Sequence, residues 1–114
     1  MINAYIGLLE CPNFDFYNGN PSGNIPERIS PYLLLSHDIF HRLWELIHQG
    51  AANVRQLDWG AVGVIYSKQQ LWDFIGSLNS RNITHIIEHI DEIKTFIQSL
   101  DSEAKYVLVA YEDV

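Results

Sequence analysis

Apolar and polar positions along the chain fall into blocks whose period changes from two to 3.6 and back. Ile2 to Glu10 is an apolar, β-rich run stopped by Cys11-Pro12, which predicts a first strand. From Ser36 the pattern turns helical, with Ile39, Phe40, Leu43, Leu46 and Ile47 recurring on one face. Ser36 is placed to cap this helix, Asp38 suits the positive end of its dipole, and Gly50 ends it. Trp59 to Tyr66 is apolar on both faces, as expected of a central strand, and Gly60 and Gly63 within it point to close approach of a neighbour or to a bulge. Ser67 and Gln70 form a capping-box pattern opening a second helix, with Leu71, Phe74, Ile75 and Leu78 inward, until residues 80–82 break it. A third helix runs to about Leu100 along a seam of Ile83, Ile86, Ile87, Ile90, Ile93 and Ile97, and Tyr106 to Tyr111 reads as a final strand, apolar on both faces. The predicted order is β-α-β-α-α-β. It describes one α+β domain over residues 1–114, a small mixed sheet with three packed helices.

Two stretches lack a clear period. Residues 11–26 collect five Asn or Asp, two Gly and three Pro, the composition of a long flexible loop. The same loop carries Phe14, Asp15, Phe16 and Tyr17, and a purely solvated linker has no need of those rings. Residues 27–35 are ambiguous: Glu27 to Ser30 fits a helical turn, and Pro31 to Leu35 an extended segment.

Composition narrows the class. With 114 residues and 47% apolar content, the chain holds one core and needs no disulfides. Cys11 is the single cysteine, which excludes a disulfide framework and a multi-cysteine metal site. No apolar run approaches the roughly 20 residues of a membrane span. The N-terminus lacks the basic region of a signal peptide, so the expected location is cytoplasmic, with no membrane partner. A net charge of −7 with scattered basic residues argues against nucleic-acid binding. Residues 88–114 hold seven acids (Glu88, Asp91, Glu92, Asp101, Glu103, Glu112, Asp113) against two lysines, a local charge of −5. Such a field steers a basic protein partner.

The histidines are the most chemical side chains. His37 and His41 lie four residues apart on the first helix, as do His85 and His89 on the third, a spacing that lets two imidazoles reach one metal ion. On a helical wheel, however, His37, His41 and His48 lie more than roughly 100° from the centre of the apolar face. A solvated polar face is the simpler reading, with metal or ligand binding by His37, His41, His85 and His89 as an alternative. His85-Ile86-Ile87-Glu88-His89 matches the H-x-x-E-H string of inverzincin peptidases, but only 25 residues follow it, too few for the rest of such a site. Cys11 follows Glu10 in an acidic chain, where nothing favours a thiolate, and no phosphate-binding glycine loop occurs. The reading is therefore not an enzyme, with no cofactor and no catalytic residues.

Aromatics left off the core faces are the remaining signal. Trp44 and Trp72 sit at the edges of their helices' apolar faces, and Phe14, Phe16 and Tyr17 flank Asp15 in the loop. Aromatic anchors ringed by acids are the composition of protein-binding hot spots. The string Ser99-Leu100-Asp101 leading to Tyr106-Val107-Leu108-Val109-Ala110-Tyr111-Glu112 is similar to small bacterial proteins in general. In small size, acidity and absent catalytic motifs the whole chain resembles the acidic immunity proteins that neutralise bacterial toxins, a resemblance that rests on no diagnostic motif. That resemblance implies an inhibitor that blocks a basic toxin, often a nuclease, through an acidic and aromatic surface. The same physics fits a phage anti-defence inhibitor, and exposed strand edges leave a homodimer open.

Overall fold

A computed structural model describes residues 2–17, 24–58, 60–79 and 87–112, with the backbone alone for residues 79 and 87–89. The elements are β1 (Ile2–Leu8), β2 (Leu33–Leu35), α1 (His37–His48), β3 (Val54–Gln56), β4 (Val62–Ser67), α2 (Lys68–Asn79), α3 (Ile87–Gln98) and β5 (Lys105–Glu112). They build one α+β domain in which the longer elements follow the expected order. The ambiguous 31–35 segment supplies β2, and β3 is an added edge strand of three residues.

The strands form one sheet in the order β2-β1-β5-β4-β3, and every described pairing is antiparallel, where the sequence pattern suggested a mixed sheet. The connection between β4 and β5 explains this. A single crossover helix returns the chain parallel, whereas the α2–α3 pair reverses it once more and delivers β5 antiparallel to β4. Between the two edge strands runs α1, leaving from β2 and arriving at β3. Its 12 residues span about 18 Å, close to the roughly 19 Å width of five strands.

The caps read from the sequence are formed. Ser36 Oγ accepts from the Ile39 N–H at 3.3 Å. Gly50 adopts φ +82°. There the Ala51 N–H donates to Leu46 O and the Gly50 N–H to Ile47 O, each at 3.0 Å, a Schellman closure that an L side chain would strain. Ser67 and Gln70 exchange both capping-box bonds, Ser67 N–H to Gln70 Oε1 at 2.9 Å and Gln70 N–H to Ser67 Oγ at 3.2 Å.

Strand parity splits the core in two. Ile2, Ala4 and Ile6 of β1 point with Tyr106, Leu108 and Ala110 of β5 into the main core, beneath the buried faces of all three helices. Those faces are Ile39, Phe40 and Leu43 of α1, Leu71, Ile75 and Leu78 of α2, and Ile90, Ile93 and Ile97 of α3. Tyr5, Val107 and Val109 point the other way and form a second core with Phe16, Leu57 and Ala61. No described helix contributes to that second core; the segment between β1 and β2 and the turn after β3 cover it.

This covering layer sits close. A Cβ on Gly7 would come within 2.8 Å of both the Glu27 carbonyl oxygen and Pro26 Cβ, so the 26–28 segment can approach β1 only over a glycine. At Gly63 the intruder is Leu57, whose Cδ1 would lie 2.6 Å from an added Cβ, which is the close approach foreseen for that glycine. Buried Ser30 replaces a ladder bond: its Oγ accepts from the Ile6 N–H at 2.7 Å and donates to Pro31 O at 2.9 Å. The 11–26 loop is tied at both described ends. Asp15 N–H donates to Asn24 Oδ1, and Asn24 Nδ2 returns a bond to Asp15 O, both at 2.9 Å.

Candidate functional site

At the sheet end where Ile2 pairs with Leu35 and Glu112, a cleft of about 860 Å³ opens. Four structural units wall it. Tyr5, Val109 and Tyr111 rise from the helix-free sheet face, and Phe40 and Trp44 come from α1. The turn between β3 and β4 adds Asp58, Gly60 and Ala61, and the covering segment closes the cleft with Pro26, Glu27, Arg28 and Tyr32.

Its rings are held by one another. Tyr5 is the hub, edge-on to Tyr32 with centroids 6.1 Å apart and to Tyr111 at 6.5 Å. Its hydroxyl donates to Pro26 O at 2.9 Å, fixing the covering segment to the sheet. Burial first, and then the neighbouring Tyr111, Tyr32 and Cys11, push the Tyr5 phenol above its usual range, so it stays a neutral donor. Phe40 and Trp44 meet edge to face at 6.2 Å. Edge-to-face packing of this kind leaves ring faces presented in fixed directions.

Charge at the cleft is uneven. Glu27, Asp58 and Glu112 line it against a single guanidinium, Arg28, an excess of two negative charges. Arg28 lies 4.4 Å above the Tyr32 ring centroid, and its Nη1 donates to Ser30 O at 2.6 Å. Glu112 Oε1 also faces His37 Nε2 at 3.6 Å, with both side chains more than half exposed. Rings and carboxylates in this proportion suit a bound cation.

Of the residues expected to meet a partner, the fold brings Trp44 and Glu112 together here. Phe16 goes elsewhere: at 2% exposure it is second-core material and is not available as an anchor, because the helix-free face needs apolar cover. Phe14 is half-buried against the same core. Tyr17 is 63% exposed, with Arg55 5.3 Å from its ring centroid, and Asp15 is exposed beside it. Trp72, 36% exposed, borders a separate hollow with Lys68 and Gln98.

The acids do not share one face. Asp101 and Glu103 lie in the turn that leads into β5, bonded through Glu103 N–H to Asp101 Oδ1 at 2.9 Å. Glu112 ends the same strand, about 23 Å away at the usual rise per residue. Asp91 and Glu92 are exposed on α3, outside the cleft lining. The side chain of Glu88, and Asp113 altogether, lie outside the described residues. So do His85 and the imidazole of His89, and with them the H-x-x-E-H string. His37 and His41 are exposed on α1, and among the described residues no three His, Cys, Asp or Glu side chains converge on a metal-sized space. No described helix is long and apolar enough to cross a membrane.

Tyr5, Tyr32, Tyr111, Glu27 and Asp58 were not singled out by the sequence. Tyr5 and Tyr111 carried a faint signal, as rings on mainly aliphatic strands; their meeting needs the β1–β5 register. Compared with known proteins, the chain matches no family model, no curated sequence and no solved structure.

Proposed function

We propose that this protein is a protein-binding inhibitor, an immunity protein that neutralises a basic bacterial toxin in the cytoplasm. The observation that carries the reading is the cleft, in which rigid rings and an excess of carboxylates stand together at one sheet end. The net charge of −7 steers a basic partner and speeds encounter. Fixed aromatic walls then supply the desolvated centre on which binding energy concentrates. A standard interface of about 800 Å² per partner takes near an eighth of the 6597 Å² accessible surface. One domain accommodates that without rearrangement.

The test is capture from the native host with tagged protein at low and moderate salt, followed by assay of the purified partner. The expected result is one basic protein whose activity is suppressed stoichiometrically and whose affinity falls as salt rises. An acidic partner, a partner whose activity is untouched, or no partner under either condition overturns the proposal.

A further inference from the structure

We infer that the cleft is the seat for one lysine or arginine side chain of the partner, its cationic head against Trp44 and Tyr111 and its charge answered by Asp58 and Glu112. This inference rests on the inhibitor reading and names the chemistry of contact within it.

Three observations converge on a cation. The rings are preorganised: Tyr111 is held by Tyr5, and Trp44 by Phe40, so binding orders little that is not already ordered. Three carboxylates face one guanidinium across the lining, which repels an anion. A neutral apolar group would cover the exposed Glu27 and Glu112 carboxylates without compensating their lost water. The protein also uses the same chemistry internally, since Arg28 stacks over Tyr32 at 4.4 Å while leaving Trp44 and Tyr111 on the other walls. A basic side chain on a protein is favoured over a free amine because the −7 field acts on the whole charge of an approaching macromolecule. A small monovalent cation gains little from it at physiological salt.

The neighbouring charges define the variants. Glu112 sits at the mouth, more than half exposed, and its removal leaves the core untouched. Trp44 packs partly against the main core, so Trp44→Leu is informative only beside an unfolding curve, whereas Glu112→Gln with Asp58→Asn changes charge and keeps shape.

The experiment is a titration of isotope-labelled protein, followed by NMR, with the N-acetyl methylamides of lysine, arginine and norleucine, and with 1,4-diaminobutane. Trp72, in its separate hollow, serves as an internal reference. Saturable shifts are expected at the Trp44 indole N–H and the Ala61 and Tyr111 amides with the two basic amides. The norleucine amide should bind several-fold more weakly, and the double variant at least about threefold more weakly than wild type. The inference is overturned by equal binding of norleucine, by no saturable shift from either basic amide, by shifts centred on Trp72, or by diaminobutane binding far more tightly than both amides. It is also overturned if the captured partner binds the double variant as well as wild type. A silent cleft with a retained, salt-sensitive partner removes only this assignment. Saturable lysine binding with no partner captured removes the inhibitor reading.

Discussion

Replacing Phe16 by alanine separates two roles that the sequence left confounded, an exposed anchor and a core side chain. In the structure Phe16 is 2% exposed and packs with Tyr5, Leu57, Ala61, Val107 and Val109 on the helix-free face. A buried phenylalanine removes at least about 150 Å² from water, worth roughly 4 kcal/mol at 25 cal/mol per Å². Measured losses for Phe→Ala in cores run about 3–5 kcal/mol. For 114 residues the unfolding entropy near the midpoint is about 0.24 kcal/mol per kelvin. The melting temperature should therefore fall by roughly 12–20 °C. Thermal unfolding followed by tryptophan fluorescence reads the melting temperature and urea unfolding the free-energy loss, with Tyr17→Ala as the neighbouring exposed control, expected within about 0.5 kcal/mol of wild type. A Phe16→Ala loss below about 1 kcal/mol with an unchanged m-value would refute the second core and return Phe16 to the surface.

Further outcomes follow from the covering layer. Ser30→Ala leaves the buried Ile6 N–H without the acceptor now 2.7 Å away, and should cost about 1–3 kcal/mol in urea midpoint experiments; Ser30→Thr, which keeps an oxygen, should recover part of it. Gly63→Ala drives its methyl into fully buried Leu57 and should destabilise by about 1–3 kcal/mol, with Leu57→Val in the same chain relieving the clash so that the two changes are non-additive. Folding holds Tyr5 protonated by burial, so stability is fully present below the unfolded phenol value of about 10 and declines as pH rises above it. Tyr5→Phe should lose about 1 kcal/mol at neutral pH with the bond to Pro26 O, yet show a flatter decline between about pH 9 and 11 in a series of urea midpoints; an equally steep decline would assign the alkaline sensitivity to other groups.

Local chemistry was legible wherever a few neighbouring residues determine it. Ser36, Gly50 and the Ser67–Gln70 pair make the caps that their identities announce, because a cap is satisfied within one turn. The three inward helix faces follow from spacing, since only one arc of each wheel is apolar enough to bury. Of the two three-residue strands, β2 lies within the 31–35 segment read as extended, whereas β3 did not show: Val54 is its only buried residue, and a single buried position has no period.

What the sequence by itself determined is thus an acidic α+β domain, its three helices, its long strands and an excess of apolar positions on both faces of the last strand. Tertiary structure alone decided how that excess was met. With all three helices on one face of the sheet, the other needed cover, and Phe16 and Leu57 supplied it. The same decision created the cleft. Tyr5, Tyr32, Trp44, Asp58 and Glu112 are scattered over more than a hundred positions, and neither charge nor periodicity couples them. Strand pairing does: the β1–β5 register brings Tyr5 and Tyr111 to one face, and α1, crossing between the edge strands, carries Trp44 to the same sheet end. A long-range register depends on the balance of every pairing at once, which is why it is written in the fold and not in any segment of the chain.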